Sequence, residues 1–437
     1  MYPPRFVFLV LFLVSSHSFS ADRPLAPAEC SVVRAGNEAS VSWVAANKDN
    51  AERYVIRRKR DDGEWYWAGA VFSGTSFVNR NLKSNSTYKY TVETKSADGD
   101  FSGVRPCQDL TTPEPPVVDL APLEPADGVL FGAWPRSSST NLNNGVPAVA
   151  DFEAATNSSM DIVQTFNPPH QPKFNIEYIN WILAQNKIPL ITWKVGPDEW
   201  PTSGDNIGQR VVNGEFDAQI RERAAEARQL NGPFFSRLFH EMDGQYGRSY
   251  DLTPELFEKY WRRVRDIFAE EGVTNAVWVW TPAAFAASEA GWYPGDDVVD
   301  WIGVDPYLWI GDAGASRCRN TNVQYQPLAT RVGTDFWEFA DKHPSKPIML
   351  AEWGSGWQAD SAIRENFISS AADAIKQHPK LKALVYFNSS PDAGCHWTLT
   401  EGVDPQKGLK AYSDLANSPE YEVDIPSLIN TFWQKQQ

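Results

Sequence analysis

The sequence has little of what most metal, redox and nucleotide-binding sites require. Its 437 residues include only four cysteines, six histidines and four methionines. No CxxC or HExxH motif occurs, which argues against a zinc site or a thiol redox site. The GxSxG motif of serine hydrolases and the GxxxxGK[ST] phosphate loop are absent as well. We therefore expect a function that needs neither a metal nor a cofactor.

Long hydrophobic runs are also scarce. Residues 1–20 carry one charge, Arg5, followed by the apolar run 6–14 and by small polar residues up to Ser20. This pattern is typical of a secretory signal peptide, and the alternative is an N-terminal anchor. No later stretch approaches the length of a membrane span. The expected location is extracellular or periplasmic, without membrane attachment after cleavage.

Basic residues are outnumbered by acidic ones, 40 to 55, so the formal net charge is −15. Such a chain is poorly suited to nucleic acids or anionic membranes, and a neutral partner fits better. In an exported chain, the four cysteines predict the disulfides Cys30–Cys107 and Cys318–Cys395, although three connectivities are formally open. We expect a monomer.

Aromatic residues are plentiful, with 18 tryptophans. Residues 27–113 read as an all-β block of short runs separated by turns, and residues 114–125 as a proline-rich linker. Trp43 and the segment 88–90 resemble the buried tryptophan and tyrosine corner of a fibronectin type III sandwich. The block is expected to be a spacer with Trp65, Tyr66 and Trp67 in its core; the alternative is that these aromatics stack on polysaccharide.

From residue 126 to residue 437, short hydrophobic runs alternate with amphipathic helical stretches. The eight strand candidates are 128–134, 161–166, 188–194, 234–241, 275–281, 300–305, 347–353 and 383–388. Eight strands with interleaved helices predict a (β/α)8 (TIM) barrel. An open doubly wound sheet is the alternative, but no GxGxxG follows the first strand.

Ionisable residues follow several of these strands, and a barrel of this kind builds its site at the carboxyl ends of its strands. Strand 4 ends at Glu241 and strand 7 at Glu352. Two carboxyl groups facing each other across a narrow barrel mouth are what cleavage of a glycosidic bond requires. The pair therefore predicts a glycosidase.

Three segments, 237–245 (RLFHEMDGQ), 293–307 and 346–356, resemble the most characteristic stretches of glycoside hydrolase family 26. The resemblance implies a retaining enzyme in which Glu241 is the acid/base and Glu352 the nucleophile. It further implies that His240 contacts the sugar or the nucleophile, that Tyr307 hydrogen-bonds Glu352, and that Trp193 lines the site. The remaining candidates for substrate contact are Trp280, Trp353, Arg237, Phe387 and Trp397.

Strand alternation complicates part of this assignment. In a regular strand Arg237, Phe239 and Glu241 share one face, so His240 should face the helices unless the strand twists or bulges at its end. Arg237 is either a counter-charge for the carboxylates or part of a structural ion pair. Asp243 and Lys194 depart from the family pattern, which usually has asparagine and commonly a carboxylate there, and this leaves the sugar identity open.

Together these features predict a secreted, retaining endo-β-glycanase that acts on a neutral polysaccharide, with β-1,4-mannan the first expectation. A β-1,3-xylanase or a β-1,3/1,4-glucanase on the same residues is the alternative. A non-catalytic carbohydrate-binding protein is the alternative from another class.

Overall fold

The structure is a computed structural model of the chain. The residues that it describes are 23–35, 38–45, 51–61, 63, 65–79, 87–110, 121–135, 142–168, 173–199, 201–283, 291–308, 325–356, 361–389, 397–402 and 404–435. The predicted signal peptide, most of the predicted linker and the pair Cys318 and Cys395 lie outside these residues. Two compact units result, one drawn from residues up to 110 and the other from residue 121 onward.

The first unit consists of two four-stranded sheets, as predicted for an all-β block. Its strands are β1 (Glu29–Ala35), β2 (Glu38–Val44), β3 (Arg53–Arg60), β4 (Trp65–Val71), β5 (Ser76–Asn79), β6 (Tyr88–Lys95), β7 (Arg105–Pro106) and β8 (Gln108–Leu110). The sheet orders are β5-β2-β1-β8 and β4-β3-β6-β7. A ring contact between Trp43 and Tyr54, which stand on different sheets, shows that the sheets pack face to face. The assignment of this unit to the fibronectin type III family stays a prediction.

Two tryptophans of this unit lie elsewhere than predicted. Trp43 is buried, as expected, but Trp65 is 42% and Trp67 65% exposed. Both stand opposite the β3 residues Lys59 and Arg57, on the sheet face turned away from the core. The prediction that they fill the sandwich core is therefore wrong, because strand alternation directs them outward.

The predicted disulfide Cys30–Cys107 is present and joins residues 77 positions apart. Replacing both cysteines by alanine should destabilise the sandwich by about 2–4 kcal/mol, because the bridge restricts a long loop in the unfolded chain. Calorimetry of the double variant should show a lower transition for the sandwich and an unchanged one for the barrel. Substitution is preferable to chemical reduction, which would also attack any second disulfide. A barrel transition that falls equally would contradict this expectation.

The second unit is the predicted (β/α)8 barrel. Its strands are β9 (Leu130–Trp134), β10 (Ile162–Asn167), β11 (Ile188–Trp193), β12 (Phe234–Leu238), β13 (Ala276–Trp280), β14 (Trp301–Val304), β16 (Ile348–Ser355) and β17 (Leu381–Phe387), with the short β15 (Tyr307–Leu308) beside β16. Every neighbouring pair is parallel, and β17 pairs with β9 while β14 pairs with β16. These pairings close the sheet.

The helices alternate with these strands. They are α1 (Leu142–Thr156), α2 (Ile176–Ala184), α3 (Ile207–Val212), α4 (Asp217–Ala227), α5 (Gln245–Ser249), α6 (Pro254–Glu270), α7 (Leu328–Val332), α8 (Thr334–Asp341), α9 (Ser361–Ser369), α10 (Ala371–Gln377), α11 (Pro405–Ala416) and α12 (Ile425–Lys435). Helix α6 begins as its sequence suggests, with Thr253 capping the Leu256 amide and Pro254 in the first turn. In the described part of the chain no helix is both long and apolar enough to cross a membrane.

Strand alternation divides the barrel into two apolar layers. Residues such as Leu190, Phe235 and Val279 fill the interior. Their neighbours Ile191, Phe234 and Trp278 pack between the barrel and the helices. This alternation decides which side chains at the carboxyl ends of the strands enter the mouth of the barrel.

Candidate active site

The end of β12 breaks the regular alternation of its strand. Phe239 and Glu241 both have left-handed backbones, with φ of 47° and 53°. The Phe239 amide donates to the Trp193 carbonyl and the Glu241 amide to the Thr281 carbonyl, so both neighbouring strands hold this turn. Left-handed backbone in bulky residues is strained, and such strain is enriched at functional sites.

This turn changes which side chains enter the barrel. Phe239, which regular alternation would place inside with Arg237, instead packs on Tyr250, directly after α5, and on Phe257 and Tyr260 of α6. His240 and Glu241 can then both face the mouth. The sequence predicted that both side chains reach the mouth only if the strand twists or bulges at its end. The two left-handed residues provide this twist.

A bulge in β16 places the second glutamate. Leu350 pairs with Leu384 and Trp353 with Tyr386, so β16 has one residue more than β17 between these pairs. Ala351 packs inside the barrel and Trp353 outside, among the core residues that face the helices. Glu352, between them, turns to the inner side, where it is 5% exposed.

Three carboxyl groups meet at the mouth of the barrel. One oxygen each of Glu241, Asp305 and Glu352 lies within 4.8 Å of those of the other two. The guanidinium of Arg237 forms ion pairs with both Asp305 and Glu352, and its side chain is fully buried. The Tyr307 hydroxyl donates to the second Glu352 oxygen at 2.6 Å. Glu352 is thus held from two sides, and Arg237 supplies the positive charge among the carboxylates.

The electrostatics of the site act strongly on Glu241. Burial and the nearby charge of Glu352 raise the pKa of Glu241 to about 7, against the opposing effects of Arg237 and Lys194. Burial also raises the pKa of Asp305 well above its usual range. Although burial opposes the charge of Arg237, the carboxylates of Asp305 and Glu352 raise the pKa of its guanidinium further. Glu241 is consequently poised to exchange a proton near neutral pH.

A basic group stands beside the acid/base candidate. Lys194 directly follows β11, is 7% exposed, and its Nζ lies 3.4 Å from His240 Nδ1 and 3.5 Å from the ring centroid of Tyr246. Burial lowers the pKa of Lys194 to about 7, although the charge of Glu241 opposes this. Burial and the positive charges of Lys194 and Arg237 lower the pKa of His240 well below its ordinary value. His240 is therefore neutral.

An aromatic cluster borders the carboxylates. It consists of Trp134, Tyr307, Phe387 and Trp397, with Phe166 packed against them. The Tyr307 ring lies 5.2 Å from that of Trp397 and 5.9 Å from that of Phe387, between centroids. The structure thus brings Phe387 and Trp397, two of the predicted substrate contacts, to the tyrosine that contacts Glu352.

Three predicted substrate contacts are not brought to the mouth. Trp193 donates its indole N–H to Ser236 and stacks on Phe268 of α6. Trp280 and Trp353 are fully buried in the layer between strands and helices. These three predictions are wrong for a physical reason: each tryptophan occupies an outward position of its strand.

Sequence reasoning also missed several residues that line the site. Asp305 directly follows β14 in the sequence. Only its ion pair with Arg237 in the structure shows that it belongs with the other two carboxyl groups. Trp134 ends β9 and Phe166 is the last residue but one of β10, both at inward positions, a signal that alternation could have supplied. Tyr246 lies on α5, and no pattern in the sequence connects it with Lys194. Asp243 accepts the Ala283 amide at 2.8 Å, which ties it to the loop after β13.

A family model and several relatives resemble this chain. Residues 198–375 match the model of glycosyl hydrolase family 26. Endoglucanase H of Acetivibrio thermocellus is 26% identical over 288 residues, which cover 61% of this chain and 29% of that protein. The β-1,3-xylanase TXYA of a Vibrio species is 28% identical over 119 residues, or 24% of this chain and 25% of the relative. The matches therefore span less than a third of these relatives.

Solved structures share the fold. A family 26 β-mannanase from Bacteroides ovatus superposes with a TM-score of 0.50 at 17% identity, covering 68% of this chain and 93% of the mannanase. A ruminal endo-β-1,4-mannanase of the same family also gives a TM-score of 0.50, at 14% identity, with 90% of each chain covered. At these identities the likeness concerns the fold alone. The resemblance to glycosyl hydrolase family 26 therefore rests on residues 198–375, and the structural likeness adds the barrel fold.

Proposed function

We propose that the chain is a retaining endo-β-glycanase that cleaves a β-linked polysaccharide by double displacement. The observation that carries this proposal is the approach of Glu241 and Glu352, whose nearest oxygens lie within 4.8 Å of each other. Retaining glycosidases hold their two carboxyl groups about 5–5.5 Å apart, whereas inverting enzymes need a wider gap for a water molecule.

In the first step Glu352 attacks the anomeric carbon while Glu241 gives its proton to the departing glycosidic oxygen. The bond to the leaving sugar breaks as the ester bond to Glu352 forms. Arg237 and Tyr307 donate to the Glu352 carboxylate and orient it. In the second step Glu241, now ionised, removes a proton from water, which attacks the anomeric carbon and releases Glu352.

The substrate is proposed at two levels. An endo-acting β-glycanase fits the family match, and within it β-1,4-mannan is the first candidate. The names of the two relatives, an endoglucanase and a β-1,3-xylanase, favour a β-glucan or a β-1,3-xylan as the second candidate. A panel of mannan, β-1,3-xylan and mixed-linkage glucan, assayed for reducing-sugar release and product length, separates the two. Release from none of them would favour the non-catalytic alternative.

The pH dependence of the reaction follows from Glu241. Its carboxyl group must be protonated to act as the acid in the first step, and its pKa is raised to about 7. Raising the pH through about 7 removes this proton, so kcat/KM should fall on the alkaline side with an apparent pKa near 7. A kcat/KM that stays flat from pH 6 to 9 would contradict this assignment of the acid.

The charge of Lys194 should lower the pH at which kcat/KM falls on the alkaline side. Its charge favours the ionised form of Glu241, so Lys194→Met should shift the fall in kcat/KM to higher pH, by about half a pH unit or more. Lys187→Met is the matched control, since Lys187 is a buried lysine that pairs with Glu153 away from the site. A limb that moves equally in both variants, or in neither, would rule out the proposed effect of Lys194.

The chain is further proposed to act outside the cytoplasm. The signal-like segment at residues 1–20 and the disulfide Cys30–Cys107 support this location, because structural disulfides persist in oxidising compartments. N-terminal sequencing of the exported protein would test cleavage after Ser20. A mature protein that begins at Met1 would contradict it.

A further inference from the structure

The sandwich has an outer face whose composition is unusual for a simple spacer. This outer face belongs to the sheet β4-β3-β6-β7. Arg58, on β3, contacts Asn79 of the other sheet and therefore points into the sandwich. Its neighbours Arg57 and Lys59 must project the other way. The residues paired with them, Trp67 and Trp65 on β4, share that outer face.

Two exposed indoles form an aromatic edge on this face. Trp65 and Trp67 stand two positions apart on an edge strand, so their Cα atoms are separated by about 6.6 Å. Trp65 is 42% and Trp67 65% exposed, so together they leave a large apolar area open to water. The opposite face of the same sheet packs inside the sandwich. Exposed apolar patches of this kind mark interaction sites, and an indole provides a flat surface for a sugar ring.

The charge of the outer face identifies the class of ligand. Its outward positions on β3 and β6 carry five basic residues and one acidic residue, namely Arg53, Arg57, Lys59, Lys89, Lys95 and Glu93. The chain as a whole has a net charge of −15. A basic face on an acidic chain is complementary to an anion, whereas a neutral ligand gives it no electrostatic advantage.

One cross-strand pair of lysines also favours an anionic ligand. Lys59 and Lys89 stand directly opposite each other, and Trp65 is the β4 partner of Lys59. Like charges at directly opposed positions destabilise a sheet. A carboxylate or sulfate held between the two ammonium groups, with its sugar ring on Trp65, would relieve this repulsion.

We propose that the outer face binds an anionic polysaccharide, with Trp65 and Trp67 stacking on sugar rings and Lys59 and Lys89 pairing with acidic substituents. The choice of a polysaccharide over another polyanion rests on the proposed function of the barrel. Such a site would hold the enzyme on an acidic glycan of the material in which its β-glycan substrate is embedded. The outer face is then an anchoring site, separate from the reaction.

Retardation of the full-length protein in native gels tests the proposal. The gels contain polygalacturonate, dextran sulfate, neutral dextran or duplex DNA. Retardation by polygalacturonate or dextran sulfate is expected, weakened by salt, and the comparison of the two tells carboxylate from sulfate recognition. Trp65→Ala/Trp67→Ala should weaken retention about tenfold or more, since a lost stack is worth about 1.4 kcal/mol. Lys59→Glu/Lys89→Glu should abolish it.

The matched control is Tyr325→Ala, which removes an aromatic side chain that is also 42% exposed but belongs to the barrel unit. It should bind like the unmodified protein. Equal retention by neutral dextran or by DNA, no retention by either polyanion, or equal loss in the control would overturn the proposal. Hydrolysis of a short soluble oligosaccharide should not change in the tryptophan variant. If the unmodified protein hydrolyses nothing, the proposed function fails while the binding result can still be read.

Discussion

Glu352→Ala should lower kcat by at least about 10⁴-fold, because the variant has no group to form the covalent intermediate. Folding should persist, since Arg237 keeps its ion pair with Asp305. Added azide should restore part of the turnover by occupying the space of the lost carboxylate. It attacks from the same side as Glu352 but leaves no second displacement, so the glycosyl azide should have inverted configuration.

Glu226→Ala is the matched control for this prediction. Glu226 is also a buried glutamate that pairs with an arginine, Arg223, but it lies on α4 away from the mouth. Its loss should reduce stability and leave kcat nearly unchanged. If Glu352→Ala lowered kcat no more than Glu226→Ala does, the proposed nucleophile would be wrong.

Arg237→Met should cause the largest loss of stability among single substitutions in the site. The substitution removes the buried counter-charge of two carboxylates, Asp305 and Glu352, and breaking such a buried pair costs about 3–5 kcal/mol. Urea unfolding of the barrel, followed by tryptophan fluorescence, measures this loss. Activity should fall as well, because Glu352 loses one of its two orienting donors.

A second substitution separates the lost ion pair from lost packing. In Arg237→Met/Asp305→Asn the unpaired buried charge of Asp305 is gone, so part of the stability should return. Arg221→Met is the surface control: Arg221 pairs with Glu270 and Glu271 but is 45% exposed, and its loss should matter little. Equal stability of the Arg237 and Arg221 variants would show that the buried network does not hold the barrel together.

The sequence predicted the barrel well because its strands follow simple periodic rules. Eight apolar runs with interleaved amphipathic helices fixed the fold class, and the ends of the runs pointed to Glu241 and Glu352. The boundaries were less accurate at the fourth strand, which was predicted to run to residue 241, whereas β12 ends at Leu238.

The side-chain directions at the mouth could not be predicted in the same way. Two left-handed residues after β12 and one extra residue in β16 override the period of two, and neither has a signature in the sequence. Trp193 was mispredicted for the opposite reason. Regular alternation holds at this position and directs the side chain against the helices, away from the mouth. The buried ion pairs of Arg237 depend on the closure of the barrel, which brings together strands far apart in the chain.

Trapping of the covalent intermediate tests the central claim most directly. A 2-deoxy-2-fluoro glycoside with a good leaving group slows the second displacement, so the sugar accumulates on the nucleophile. Peptide mass spectrometry of the inactivated enzyme should find the added sugar on Glu352. A label on another residue, or steady turnover of natural substrate by an enzyme that is never labelled, would contradict the account.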